Sequence, residues 1–100
     1  MERLDLQATL EEILGSDQVY FQPPESIKMS YPAIVYSRSR IRNTFAQDKI
    51  YKQDNSYELI LIDPDPDTQL PFSILELPYC SFDRHYTASN LNHYVFTIYY

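Results

Sequence analysis

One hundred residues, 44% hydrophobic and 22% charged, are enough for one hydrophobic core and too few for two. The formal charge of -6 argues against a general affinity for polyanions. The single cysteine, Cys80, excludes an internal disulfide, and no apolar run approaches the roughly 20 residues that cross a bilayer. The opening Met1-Glu2-Arg3-Leu4-Asp5 lacks a basic leader, so a cytosolic protein with no membrane role is expected.

Leu6, Leu10, Ile13 and Leu14 recur at helical spacing with Asp5, Glu11 and Glu12 turned outward, which predicts a helix over residues 3 to 14. Gly15, the only glycine, stands where a helix ends in a left-handed residue. Val19-Tyr20-Phe21 reads as a short strand, followed by an extended, proline-bounded connection over residues 23 to 32. Ala33 to Tyr36 begins a β-branched strand that continues to Arg42, and strict alternation would place Arg38, Arg40 and Arg42 on one face. Residues 43 to 55 lack periodicity and read as a mobile loop or protruding hairpin arm.

Tyr57 to Ile62 is the clearest central strand, ended by Asp63-Pro64-Asp65-Pro66-Asp67 because proline cannot donate to a ladder. Asp67 or Thr68 can cap a short helix over roughly residues 68 to 77, with Pro71 in its first turn, Pro78 blocking continuation, and Phe72, Leu75 and Leu70 as its buried stripe. Cys80 to Tyr86 is a further strand, Thr87 to Asn92 a polar turn and residues 93 to 100 the last strand. That strand carries Tyr94, Phe96, Ile98 and Tyr100 on one side and Val95 and Tyr99 on the other. Neither side suits water, so one should meet the domain's helices and the other a second copy or a neighbouring protein. The element order predicts an α+β fold: a mainly antiparallel sheet of four to five strands with two helices packed on one face.

Asp83-Arg84-His85 invites an acid-base reading, since Asp83 and His85 two apart on a strand could meet. No nucleophile elbow, phosphate loop or HExxH motif accompanies it. A structural role for Asp83 or Arg84, in a turn or an intersubunit contact, is the reading preferred. Asp63, Asp65 and Asp67 resemble the start of a calcium loop, but Thr68 and Ile74 stand where that loop needs Gly and Glu. The alternative is a rigid acidic turn. Cys80, His85 and His93 lack zinc-ligand spacing, and Cys80 reads as a buried, inert thiol. No metal, cofactor or catalytic residue is expected.

Five of the eight Lys and Arg residues, Arg38, Arg40, Arg42, Lys49 and Lys52, fall between positions 38 and 52. Such segregation suits ion pairing to an acidic patch on a neighbouring subunit, with a solvated strand end and nucleic-acid contact as alternatives.

Gln22 to Tyr36, the Asp63 to Asp67 turn, and Leu77 to Tyr86 leading into Leu91 to Tyr100 together resemble small structural proteins of tailed bacteriophages, those of the tail-terminator or tail-completion group. The resemblance covers about four fifths of the chain. It implies a virion subunit, made in the host cytoplasm, that forms a homo-hexameric ring capping the tail tube and joins it to the head connector or neck protein, and to sheath protein if the tail contracts. DNA would meet such a ring only in transit. Arg38, Arg40, Arg42, Lys49, Lys52, Asp63, Asp65, Asp67, Asp83, Arg84, Tyr99 and Tyr100 are then the expected inter-subunit or partner contacts. A head-closure or connector-adaptor neck protein and a single-stranded nucleic-acid binding module are the alternatives.

Overall fold

The computed structural model describes residues 3–24, 27–46 and 49–99, and for residues 40–55 the backbone alone. Seven elements follow in order: α1 (Arg3–Leu14), β1 (Val19–Phe21), β2 (Ala33–Ala46), β3 (Lys49–Asp63), α2 (Leu70–Leu75), β4 (Cys80–Ala88) and β5 (Leu91–Tyr99). The strands form one sheet in the order β1-β2-β3-β5-β4, parallel between β1 and β2 and antiparallel elsewhere. The fold is α+β, as the pattern predicts. The parallel pair exists because the proline-bounded connection, about a dozen residues long, is enough to return the chain to the end from which β1 began.

Alternation along each strand sorts the side chains onto two faces. Ile34, Tyr36, Tyr57, Leu59, Leu61, Phe96 and Ile98 join Leu6 and Leu10 of α1 and Ile74 of α2 in one buried cluster, so both helices cover the same face. Ala33, Ile62 and Val95 are buried outside that cluster. Their register sets them on the other face beside half-buried Val35 and Ile60, as a thinner apolar layer. Gly15 has φ +77° and donates to the Glu11 carbonyl at 2.9 Å, closing α1 as predicted.

Four expectations change on the structure. Residues 43–46 and 49–55 are strand, since β2 and β3 stay paired out to Ala46 and Lys49. β1 pairing ends at Tyr36, and β5 pairing ends where Tyr99 meets Ser56. Beyond those points β2 and β3 form a two-stranded arm about 20 Å long at the usual rise per residue, and the molecule measures 50 × 25 × 24 Å. Polar composition hid this ribbon because neither of its faces shows an apolar alternation. The polar turn is shorter than 87–92: Ser89 and Asn90, both with positive φ (54° and 64°), close a two-residue hairpin between β4 and β5.

Helix α2 is six residues long, and its buried members are Pro71 and Ile74, with Leu70 and Leu77 packed against the cluster. That set is the i, i+3/i+4, i+7 face. Phe72 and Leu75, expected inside, fall on the other side and are 62% and 39% exposed. The last change concerns the final strand. β5 lies between β3 and β4, and Val95, Phe96 and Ile98 are all fully buried within the chain. The helices cover its Phe96 and Ile98 side as expected, while on the other side Val95 is buried among its strand neighbours and His93, Thr97 and Tyr99 stay half-buried.

Candidate functional site

The acidic turn is built from its own backbone. The Asp63 carboxylate accepts a hydrogen bond from the Asp65 N–H at 2.9 Å, and the Asp65 carboxylate accepts one from the Asp67 N–H at 2.9 Å. Two successive Asx turns, with prolines fixing φ between them, make the segment a stiff corner. Asn92 of β5 ties it down by donating to the Asp63 carbonyl at 3.2 Å. Asp63 is buried, whereas Asp65 and Asp67 are exposed. Asp63 and Asp65 thus serve the turn first, and among the described residues no cluster of His, Cys, Asp or Glu is gathered as a metal site.

Strand β4 contradicts the idea that Asp83 and His85 meet. A bulge between Phe82 and Arg84 interrupts the alternation, so the faces of Asp83 and His85 separate. Asp83 accepts from the Thr97 hydroxyl at 2.6 Å, on the face away from the helices. His85 lies on the helix side, its ring 4.7 Å from that of Tyr94 and its Nε2 3.2 Å from Asn92 Oδ1. His93 stacks on Tyr86 at 4.6 Å on the opposite face, so the two histidines cannot share a ligand. Arg84 rests 6.0 Å over the Tyr86 ring. Cys80 is half-buried; burial first, then the nearby Asp83 charge, pushes its thiol up to about 11, so it stays protonated and a poor nucleophile at neutral pH.

The expected shared face of Arg38, Arg40 and Arg42 falls partly outside the described residues, and only the backbone pairing of β2 is on view there. Arg38 pairs with Tyr57, but a register shift follows, so Arg40 pairs with Ser56 and Arg42 with Asp54. Arg38 turns onto the domain, donating to the Tyr57 hydroxyl at 3.2 Å with its guanidinium 5.3 Å from that ring. The side chains of Arg40, Arg42, Lys49 and Lys52, and all of Tyr100, lie outside the described residues. Tyr99 is half-buried and its N–H donates to the Tyr79 carbonyl at 3.2 Å, which fastens the end of β5 to the start of β4.

Two features escaped the sequence reading. Under α1, Arg3 donates to the Tyr36 hydroxyl at 3.1 Å while lying 4.4 Å over the Phe21 ring. Tyr36 in turn donates to Gln7, which donates to the Val19 carbonyl at 2.9 Å. Burial raises the Tyr36 pKa, with Arg3 opposing the shift, so the phenol remains a donor at neutral pH. This network is a structural weld between helix and sheet.

The second feature is an apolar groove of about 320 Å³ between α2 and β4, lined by Pro66, Thr68, Pro71, Phe72, Leu75, Phe82 and Tyr94. Phe72 and Phe82, at 62% and 45% exposure, form its open walls. The signal for it was present in Pro66, Pro71 and Pro78. Prolines on both sides keep α2 too short to bring a full apolar stripe down over β4.

No family model matches the chain, and comparison with curated proteins and with solved structures gives no match either.

Proposed function

We propose that the protein is a non-enzymatic structural subunit of a tailed-phage virion, a tail terminator whose hexameric ring caps the tail tube and joins it to the head connector. The observation that supports the reading is the arm. β2 and β3 run past every other strand of the sheet and carry with them four of the eight Lys and Arg residues, Arg40, Arg42, Lys49 and Lys52. An isolated two-stranded ribbon is marginal in water, so an arm of this length gains its order against another surface. Twelve of the fourteen carboxylates lie outside residues 38 to 55, which makes the body of another copy the complementary surface. A net acidic ring also lets DNA pass without gripping its phosphates.

In this role the arm reaches a neighbour or the adjoining tube ring, and the body's other face meets the head side or, in a contractile tail, the sheath. Negative-stain images and native mass spectrometry of the purified protein, alone and with tail-tube subunits of the same virion, test the reading. Six-fold rings are expected. Compact monomers under every condition overturn it, and twelve-fold rings move the protein to a head-closure or connector-adaptor position. Titration with a labelled oligonucleotide at low salt should show almost no binding; tight, salt-sensitive binding would instead mark a single-stranded nucleic-acid module.

A further inference from the structure

We propose that the groove between α2 and β4 is the socket for the arm of a neighbouring copy. The inference rests on the ring reading above and assigns the joint that makes the ring. Monomers rarely leave a contiguous apolar surface open, and here Phe72, Leu75 and Phe82 are exposed side by side in one concavity. At its Pro66 end stand two exposed carboxylates, Asp65 and Asp67, on either side of that proline in the chain. An apolar floor with an acidic end fits a ligand that is both apolar and cationic.

The arm has that composition. Residues 40 to 55 hold four of the chain's eight cationic residues and two of its fourteen carboxylates, together with Ile41, Phe45, Ile50 and Tyr51. The remainder of the chain keeps four cationic residues against twelve carboxylates. Opposite net signs on the two parts steer arm to body and disfavour contact between two arms.

Topology makes the contact intermolecular. β3 leads from the arm through residues 56 to 63 into the acidic turn, so the arm and the Pro66 end of the groove sit at opposite ends of one strand. Eight residues of extended chain hold them roughly 26 Å apart, with the arm pointing away. One copy therefore cannot fill its own socket. A plug on one part of the surface and a socket on another give a heterologous joint, which closes into a ring when the rotation per subunit divides a full turn.

Sedimentation velocity on the wild type, a socket variant (Phe72→Asp) and a plug variant (Arg42→Glu with Lys52→Glu) tests the proposal. The wild type is expected as a closed oligomer whose dissociation grows with salt. Each variant alone should sediment as a monomer. An equimolar mixture of the two should give a dimer and nothing larger, because it retains one intact joint per pair. Phe72 is largely exposed, so Phe72→Asp should keep the wild-type melting curve within a few degrees by circular dichroism. Wild-type assembly by either variant, or a mixture that stays monomeric, overturns the socket while leaving the ring reading in place. A wild type that remains monomeric at all concentrations, with tube protein present, removes the ring reading itself.

Discussion

Two helices cover one face of the same sheet, and they do so unequally. α1 runs twelve residues, buries Leu6 and Leu10 completely and ends on a glycine that meets its left-handed φ without cost. Its polar side is stitched to the strands by Arg3, Tyr36 and Gln7. α2 runs six residues and buries only Pro71 and Ile74. The sheet beneath it is left with an open aromatic edge at Phe82. Helix length decides the difference: a helix of under two turns presents one row of side chains, which cannot both seal a sheet and reach its edge strand. Stability belongs to the α1 half, and the surface free to meet a partner belongs to the α2 half.

Truncations should expose that contrast most strongly. Leu10→Ala leaves a cavity under α1 and is expected to cost about 2–5 kcal/mol in urea unfolding, whereas Phe72→Ala should stay within about 0.5 kcal/mol. Equal losses at the two positions would mean that α2 carries as much of the core as α1. Next in size, Tyr36→Phe removes the hydroxyl shared by Arg3 and Gln7 and should destabilise by about 1–2 kcal/mol. No change there would show the weld to be ornamental.

Smaller effects probe the joint between body and arm. Ser56 marks it, and its buried Oγ is the one such side-chain atom among the described residues without a hydrogen-bond partner. Ser56→Ala should therefore leave stability unchanged or raise it by up to about 1 kcal/mol, because a desolvated hydroxyl disappears. A clear loss would mean that the hydroxyl is paired in solution. The smallest effect concerns alkaline pH. The Cys80 thiol is raised from 9.0 to about 11 in the folded chain, so the folded state holds the proton more tightly and stability should fall as pH climbs from about 9 to 11. Cys80→Ser should flatten that part of the profile, and alkylation of the native protein should stay slow until the same range.

What the sequence determined by itself was whatever depends on neighbours along the chain. α1 and its Gly15 stop, the strand at 19–21, the central strand through Leu59 and Leu61, the Asx-proline corner and the α+β order all follow from local periodicity, turn chemistry and the rigidity of proline. Tertiary structure decided what depends on register. The bulge at Asp83 separated it from His85, and the irregularity after Arg38 moved the pairing of β2 on β3 by one residue. The interior place of β5 buried Val95 in a strand that looked half bare, and the exposed side of α2 left Phe72 and Phe82 open. A bulge inserts one residue and reverses every alternation after it, and the position of a strand in a sheet depends on partners far away in the chain, so neither is written in any short stretch of residues.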